Sequence, residues 1–243
     1  MSCIVLFTDF GPSGPYIGQM ELVLRQTAPN VPVINLLSNA PTADPRLSSY
    51  LLAALRHSFP INSIFLSVVD PGVGGERKAV VLQADGRTFV GPDNGLLSTV
   101  AVQAQNAQWS EIIWKPEHCS MSFHGRDLFA PIAAKLAINA ADDLLQPFDR
   151  NDLNAWPQDL GEVIYFDHYG NAMTGLRYHE VFSGKTLTVN GIAIKPADTF
   201  SAVEEKQAFW YKNSSGLVEI AINKGSATQQ LDLKLGVQVS FSA

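Results

Sequence analysis

The sequence predicts an α/β protein with a mainly parallel, Rossmann-like N-terminal domain and a smaller C-terminal domain, an antiparallel β barrel or sandwich. Strand-like and helix-like segments alternate through residues 1–145, which is typical of βα units stacked around a parallel sheet. Short strand-like runs replace that alternation in residues 160–243. The intervening residues 146–159 are rich in Asp, Asn and Pro and lack sustained periodicity, so we expect a linker there.

Apolar periodicity divides the N-terminal domain into strands and helices. Lys78–Gln83 and Arg87–Val90 predict a hairpin that turns at Ala84–Gly86. Asp44 is expected to cap a helix whose first residue is Pro45, because proline lacks only an N–H that is unpaired at that position anyway. The other predicted strands are Ile4–Phe7, Val33–Leu36 and Ile64–Val69, and the other predicted helices are Tyr16–Thr27, Leu96–Gln103 and Leu128–Ile138.

A hairpin is the clearest local signal in the C-terminal domain. Asn190-Gly191 separates Leu187–Val189 from Ile192–Ile194, and Asn-Gly suits the positive φ angles of a type I′ turn. Leu217–Ile222 and Val237–Phe241 are the further predicted strands. Together they favour a small antiparallel architecture.

Composition excludes several classes of protein. Hydrophobic residues make up 46% of the chain and charged residues 16%, which is typical of globular packing. A net charge of −6 argues against nucleic-acid binding, which needs clustered Lys and Arg. Only two cysteines occur, Cys3 and Cys119, and they are far apart and outside any metal-ligand spacing, so neither a disulfide framework nor a Cys/His zinc site is expected.

Targeting signals are also missing from the sequence. The N-terminus runs directly into Ile4–Phe7, without the basic region and cleavage site of a signal peptide. No apolar run approaches the ~18–20 residues that a membrane-spanning helix needs. We therefore expect a cytoplasmic protein that does not bind membranes.

Two loops follow predicted parallel strands, where ligands of open α/β sheets bind. Asp9 comes directly after the first strand, as either a turn carboxylate or an acceptor for ribose hydroxyls. The glycine-rich loop Asp70–Arg77 follows Ile64–Val69 and is either a solvated turn with a surface ion pair or a close backbone approach to a ligand. The latter loop lacks the Gly-Lys-Ser/Thr of a phosphate loop.

Three further polar segments are candidates for chemistry. His124 lies between Phe123 and Gly125 before a predicted helix, whose N-terminus would lower the pKa of the imidazole. Gly91–Gly95 is interpreted as a turn and helix cap, and Asp167–Asn171 as a polar turn after a strand. No Gly-x-Ser-x-Gly elbow occurs, which disfavours that type of serine hydrolase.

Taken in order, these segments resemble the S-adenosylmethionine hydrolase family (S-adenosylmethionine hydroxide adenosyltransferases), which is related to fluorinase and to chlorinating enzymes. Any one motif is weak, but six in the family's order span nearly the whole chain. They are Phe7–Gly11, Asp70–Lys78, Gly91–Leu97, Phe123–Pro131, Asp167–Asn171 and Asn213–Ser226.

The resemblance implies roles for individual residues. The family's catalytic Asp, Arg and His fall on Asp70, Arg77 and His124, and its ribose-binding carboxylate falls on Asp9. Two departures concern the ligand: Thr42 stands where fluorinase has a tryptophan against the sugar, and Ser215 where it has a methionine-binding arginine. The remaining implied substrate-binding residues are Phe123, Asp167, Tyr169, Asn171, Phe200, Ser214, Glu219 and Ile222.

The activity that the resemblance implies is attack of water on the ribose C5′ of S-adenosylmethionine, which releases adenosine and methionine without a metal or other cofactor. The halogenating relatives lack the Asp–Arg–His trio, and fluorinase has a long insertion where this chain turns at Ala84–Gly86. An S-adenosylmethionine-dependent halogenase and a non-catalytic nucleoside-binding module remain the alternatives. An oxidoreductase is disfavoured, since no Gly-x-Gly-x-x-Gly follows the first strand. The resemblance also implies a homotrimer whose sites lie between subunits.

Overall fold

The structure, a computed structural model, describes residues 3–150, 152–153 and 156–242. The chain divides into two units. The first contains Met1–Ala53 and Phe59–Pro157, and the second contains Ala54–Ser58 and Gln158–Ala243. Within the described residues, no helix is both long and apolar enough to cross a membrane.

In the first unit the described residues form a seven-stranded mixed sheet in the order β2-β1-β3-β5-β4-β6-β7. Strands β2, β1, β3 and β5 are parallel, whereas β4, β6 and β7 run antiparallel to their neighbours. The bounds are β1 Ile4–Thr8, β2 Val33–Leu37, β3 Ile64–Val68, β4 Ala79–Ala84, β5 Arg87–Pro92, β6 Ala107–Ile112 and β7 Leu145–Pro147.

The sheet is therefore mixed, where the sequence predicted a mainly parallel one. The predicted hairpin is confirmed, because β4 and β5 pair antiparallel across a tight turn at Asp85 and Gly86, which have φ angles of 47° and 75°. A turn of this length joins only antiparallel strands, because a parallel pair needs a long crossover. Strand β6 then pairs with β4 and β7 with β6, so part of the predicted linker belongs to the sheet.

The helices of the first unit are α1 Tyr16–Thr27, α2 Pro45–Leu55, α3 Ser98–Gln103 and α4 Ala130–Ala137. The predicted cap is confirmed, since the backbone N–H of Leu47 donates to Asp44 Oδ1 at 2.9 Å. A π-helical turn over Gly125–Phe129 precedes α4, which therefore starts later than predicted. Met20 and Leu24 of α1 pack with the apolar side chains of β1, β3 and α4 in one core.

In the second unit the described residues form separate antiparallel sheets, ordered β11-β10-β14 and β12-β13-β9-β8. The predicted hairpin is confirmed: Asn190 and Gly191 have φ angles of 49° and 75°, and Val189 pairs with Ile192. No closed barrel is formed by the described strands. The bounds are β8 Leu160–Phe166, β9 Ala172–Arg177, β10 Leu187–Val189, β11 Ile192–Ile194, β12 Ala208–Lys212, β13 Leu217–Ile222 and β14 Val239–Phe241, with one short helix, α5 Ala227–Gln230.

Candidate active site

Asp70, Arg77 and His124 form a continuous hydrogen-bonded chain beyond the carboxyl end of β3. Arg77 Nε lies 3.0 Å from each carboxylate oxygen of Asp70, and Arg77 Nη2 also donates to Asp70 Oδ2. The same Nη2 lies 2.9 Å from His124 Nδ1. The side chains of Asp70 and Arg77 are 4% and 11% exposed, so the pair is shielded from water rather than lying on the surface. The three side chains thus act as one unit.

The Arg77 contact determines the tautomer of His124. A guanidinium only donates hydrogen bonds, so Nδ1 must be the unprotonated ring nitrogen and the neutral ring carries its proton on Nε2. Burial of the ring and, next, the charge of Arg77 lower the pKa of His124 below its ordinary 6.5. Asp70 and Asp127 act in the opposite direction but more weakly. The lowered pKa was expected, but its causes are burial and Arg77 rather than a helix N-terminus.

The glycines of the Asp70–Arg77 loop allow another segment to pack closely. Gly74 has a φ of +79°, and a Cβ atom there would lie 2.5 Å from the carbonyl oxygen of Met121. Met121 lies three residues before His124 in the chain. Backbone freedom at Gly74 therefore lets the loop that carries Asp70 and Arg77 pack directly on the segment that leads to His124.

Asp9, at the end of β1, already has a structural role. Its Oδ2 accepts a hydrogen bond of 2.9 Å from the backbone N–H of Ala43. This contact joins Asp9 to a residue that is distant in sequence and is not a turn contact, so both the turn role and the ribose role of Asp9 stay predictions. Next to Asp9, Phe10 packs edge-on against Phe123, and Tyr16 also packs edge-on against Phe123, with ring centroids 5.7 and 5.3 Å apart. Phe10 and Tyr16 were not identified from the sequence.

A second set of predicted residues lines a cavity of about 650 Å³ in the second unit. The Asp167 carboxylate fixes the turn that carries two of these residues. It accepts hydrogen bonds from the backbone N–H groups of Tyr169 and Asn171 and from the side-chain amide of Asn171, all at 2.8–2.9 Å. Tyr169 is mostly exposed and presents an open aromatic ring. The lining residues are Asp167, Tyr169, Asn171, Phe200, Tyr211, Ile222, Asn223, Lys224 and Gly225.

Asn171 carries an unsatisfied acceptor at this cavity. Its side chain is 5% exposed, and its Nδ2 is used by Asp167. Within the described part of the chain, its Oδ1 is buried without a hydrogen-bond partner. A buried acceptor without a partner is costly, and this burial keeps the oxygen out of reach of a ligand in this conformation.

Glu219 and Ser214 are not among the residues that line this cavity. Glu219 is 2% exposed and accepts hydrogen bonds from Tyr211 Oη at 2.6 Å and from Asn213 Nδ2 at 2.7 Å. Burial raises the pKa of Glu219 and, together with the Glu219 hydrogen bond, that of Tyr211. Glu219 therefore supports the cavity wall through Tyr211, whereas Ser214 is exposed in the turn before β13.

The structure thus brings the predicted residues together in two sets, one in each unit. Asp9 and Phe123 lie in the same unit as the Asp70–Arg77–His124 chain. Tyr211 and Asn213 were missed because their roles depend on cross-strand neighbours, although both lie in or beside a matching motif. Among the described residues, no group of His, Cys, Asp or Glu is arranged to hold a metal ion.

Comparison with known proteins matches both units. Residues 4–145 match the model of the SAM hydroxide adenosyltransferase N-terminal domain, and residues 161–240 match that of the C-terminal domain. The (R)-S-adenosyl-L-methionine hydrolase of Thermus thermophilus is 36% identical, with 98% of this chain and 99% of that protein covered. The fluorinase of Nocardia brasiliensis, at 24% identity over 97% of this chain and 95% of its own, is a more distant relative.

Solved structures agree with the sequence comparison. The crystal structure of an uncharacterized conserved protein from Thermotoga maritima superimposes with a TM-score of 0.86 and 30% identity, covering 99% of this chain and all of that one. Both family models and a full-length relative above 30% identity thus indicate the same family. This chain belongs to the SAM hydroxide adenosyltransferase family.

Proposed function

We propose that this protein hydrolyses S-adenosyl-L-methionine to adenosine and L-methionine. The observation that carries the proposal is the buried chain from Asp70 through Arg77 to His124, in a member of the SAM hydroxide adenosyltransferase family. The full-length relative from Thermus thermophilus, which carries the name (R)-S-adenosyl-L-methionine hydrolase, supports the same activity.

The reaction is an in-line displacement at the ribose C5′. The oxygen of water forms a bond to C5′ while the C5′–S bond breaks, and the electron pair of that bond goes to sulfur. The cationic sulfonium becomes the neutral thioether of methionine. The attacking water loses one proton, which is released to the solvent, and the neutral 5′-hydroxyl of adenosine forms. The leaving group needs no acid, so catalysis consists of positioning and polarising the water and keeping bulk solvent away.

Each member of the trio has a role that its contacts support. Arg77 has donors to bind the attacking water, and Asp70 fixes Arg77 through a two-point contact. His124 uses Nδ1 to accept from Arg77, so Nε2–H is the group left to orient the water as a donor. These contacts favour orienting the water over accepting its proton at Nδ1.

Residues from both sets, one in each unit, bind the nucleoside end of the substrate in this proposal. Asp9 binds the ribose hydroxyls, beside the Phe123 ring. Asn171 lies in the lining of the cavity and supplies a polar contact to the ligand. The exposed ring of Tyr169 and the half-buried ring of Phe200 stack near adenine beside Ile222. Asp167 and Ser214 supply polar contacts, and Glu219 acts through Tyr211.

We further propose that the working unit is a homotrimer in which each active site combines residues from two subunits. The catalytic trio and the cavity at Asn171 belong to different units of the chain, which is consistent with a site completed by a second copy. In such an assembly, activity depends on association.

Product chromatography tests the proposed activity. The protein is incubated with S-adenosyl-L-methionine, with and without chloride, and the nucleoside product is identified. We expect adenosine and an equal amount of methionine under both conditions. A chlorinated nucleoside would instead support a halogenase, and binding without any product would support a non-catalytic module.

A further inference from the structure

The segment Gly91–Gly95 was predicted to be a turn and helix cap. In the structure it holds both ends of the loop that carries Asp70 and Arg77. Asn94 Nδ2 donates to the backbone carbonyl of Val69 at 2.9 Å, one residue before Asp70. The backbone N–H of Asp93 donates to the carbonyl of Lys78 at 3.0 Å, one residue after Arg77. Two adjacent residues, Asp93 and Asn94, thus hold the residues that flank the loop on either side.

Asn94 is itself fixed in place. Its Oδ1 accepts from the backbone N–H of Leu96 at 3.2 Å, so both ends of the amide are engaged. Strand β5 also approaches β3 very closely just before Asn94, because a Cβ atom at Gly91 would overlap the carbonyl oxygen of Ser67. Val69 is fully buried, so water cannot readily replace the Asn94 donor at its carbonyl.

We propose that Asn94 is a positioning residue for the reaction: by fixing the Val69 carbonyl it sets the direction in which Asp70 leaves β3 and so holds Arg77 against His124. This inference rests on the proposed function for the role of the trio. The hydrogen bond from Asn94 matters because Arg77 Nη2 lies only 2.9 Å from His124 Nδ1. A shift of the loop by about 1 Å would break this contact.

The test compares Asn94→Asp and Asn94→Ala with Ser63→Ala. Aspartate keeps the shape of asparagine and the acceptor for Leu96, but it has no donor for the Val69 carbonyl. Ser63 is a matched control at the opposite end of β3, where its buried hydroxyl donates to the Pro60 carbonyl at 2.8 Å. Thermal unfolding establishes that each variant is folded before it is compared.

Both Asn94 variants are expected to lower kcat roughly ten- to a hundredfold while KM changes little, because misplacing catalytic groups by about 1 Å costs up to 10²-fold. Ser63→Ala is expected to keep wild-type kcat. Nuclear magnetic resonance titration supplies a readout that needs no turnover. In the Asn94 variants the pKa of His124 should rise toward its ordinary 6.5, because Arg77 and burial no longer hold it down. The His124 resonance is assigned by its absence from His124→Ala.

Three outcomes in folded variants would overturn the inference. They are wild-type kcat in a folded Asn94→Asp variant, an unchanged His124 titration, and an equal loss of kcat in Ser63→Ala. If Asn94→Ala does not fold, Asn94→Asp decides alone, and if neither folds, Asn94 is structural and the inference is wrong. Failure of the wild-type protein to form adenosine would contradict the proposed function instead, and the titration would still report whether Asn94 holds Arg77 at His124.

Discussion

Arg77 and His124 meet through Nδ1 of the imidazole, and this contact decides which ring nitrogen is available to a water molecule. Nδ1 accepts from the guanidinium, so Nε2 carries the proton of the neutral ring. The Asp70 carboxylate in turn fixes the guanidinium plane. At the scale of single residues, hydrogen bonds therefore orient the proposed catalytic side chains: Asp70 orients Arg77, and Arg77 orients the ring of His124.

The first prediction concerns the pH dependence of turnover. Neutral His124 is the form that accepts from Arg77, so kcat should rise as pH increases through the lowered pKa of His124 and then level off. The acid limb is therefore expected below the ordinary value of 6.5, with full activity at neutral pH. A kcat–pH profile measures this directly. An acid limb above 6.5 would show that burial and Arg77 do not control the titration.

The second prediction concerns the guanidinium. Arg77→Lys keeps the charge but loses the planar fork that contacts Asp70 and His124 together, so kcat should fall by about 10²-fold or more. Arg87→Lys is the matched control, because Arg87 donates through Nε and Nη2 to the Phe59 carbonyl, away from the trio. Steady-state kinetics of both variants are compared. Equal activity of Arg77→Lys and Arg87→Lys would remove Arg77 from the mechanism.

At the scale of elements, strands β12 and β13 support the cavity of the second unit. Their antiparallel register puts Tyr211 opposite Glu219, and Asn213 lies just beyond the end of β12. The carboxylate between the two donors keeps the Tyr211 ring at the cavity wall. Cross-strand pairs of this kind are the unit that stabilises a sheet.

The third prediction concerns the stability of this pair of strands. Burial raises the folded-state pKa of Glu219 above its ordinary 4.5, so folding favours the protonated form. That stabilisation is present in full below pH 4.5 and is lost as pH rises through the raised pKa. Glu219→Gln mimics the neutral carboxyl. The free energy of unfolding of this variant should therefore increase relative to that of the wild type as pH rises above 4.5. Denaturant unfolding from pH 4 to 8 measures the difference, and a difference independent of pH would contradict the prediction.

At the scale of the whole molecule, the residues assigned to one substrate lie in two units of the chain. The trio lies outside the strands of the unit that contains the mixed sheet, and Asn171 lies just before β9 in the unit that contains the antiparallel sheets and a separate apolar core. The proposed homotrimer with shared sites would account for this division, and activity would then depend on association of the copies.

The fourth prediction is complementation between inactive chains. His124→Ala and Asn171→Ala are expected to be inactive alone, and to regain part of the wild-type activity after dissociation and reassembly together. Recovery is expected because some mixed assemblies pair an intact trio from one subunit with an intact Asn171 cavity from another. Adenosine formation by the mixture measures the effect, with subunit exchange followed by mass spectrometry. Exchange without any recovery would favour a site made within one chain.

The sequence by itself determined the features that depend on local interactions. Helix α1 and strand β13 have the predicted bounds, and the β10–β11 hairpin forms because Asn190-Gly191 accepts positive φ angles without help from distant residues. Only the tertiary structure decided the rest. The pairing of β6 with β4 and of β7 with β6, and the donation from Asn94 to Val69, join residues that are distant in sequence. The contact between Tyr211 and Glu219 depends on the register of β12 against β13. Local periodicity carries no information on such partners, because they are chosen by which strands become neighbours in the folded chain.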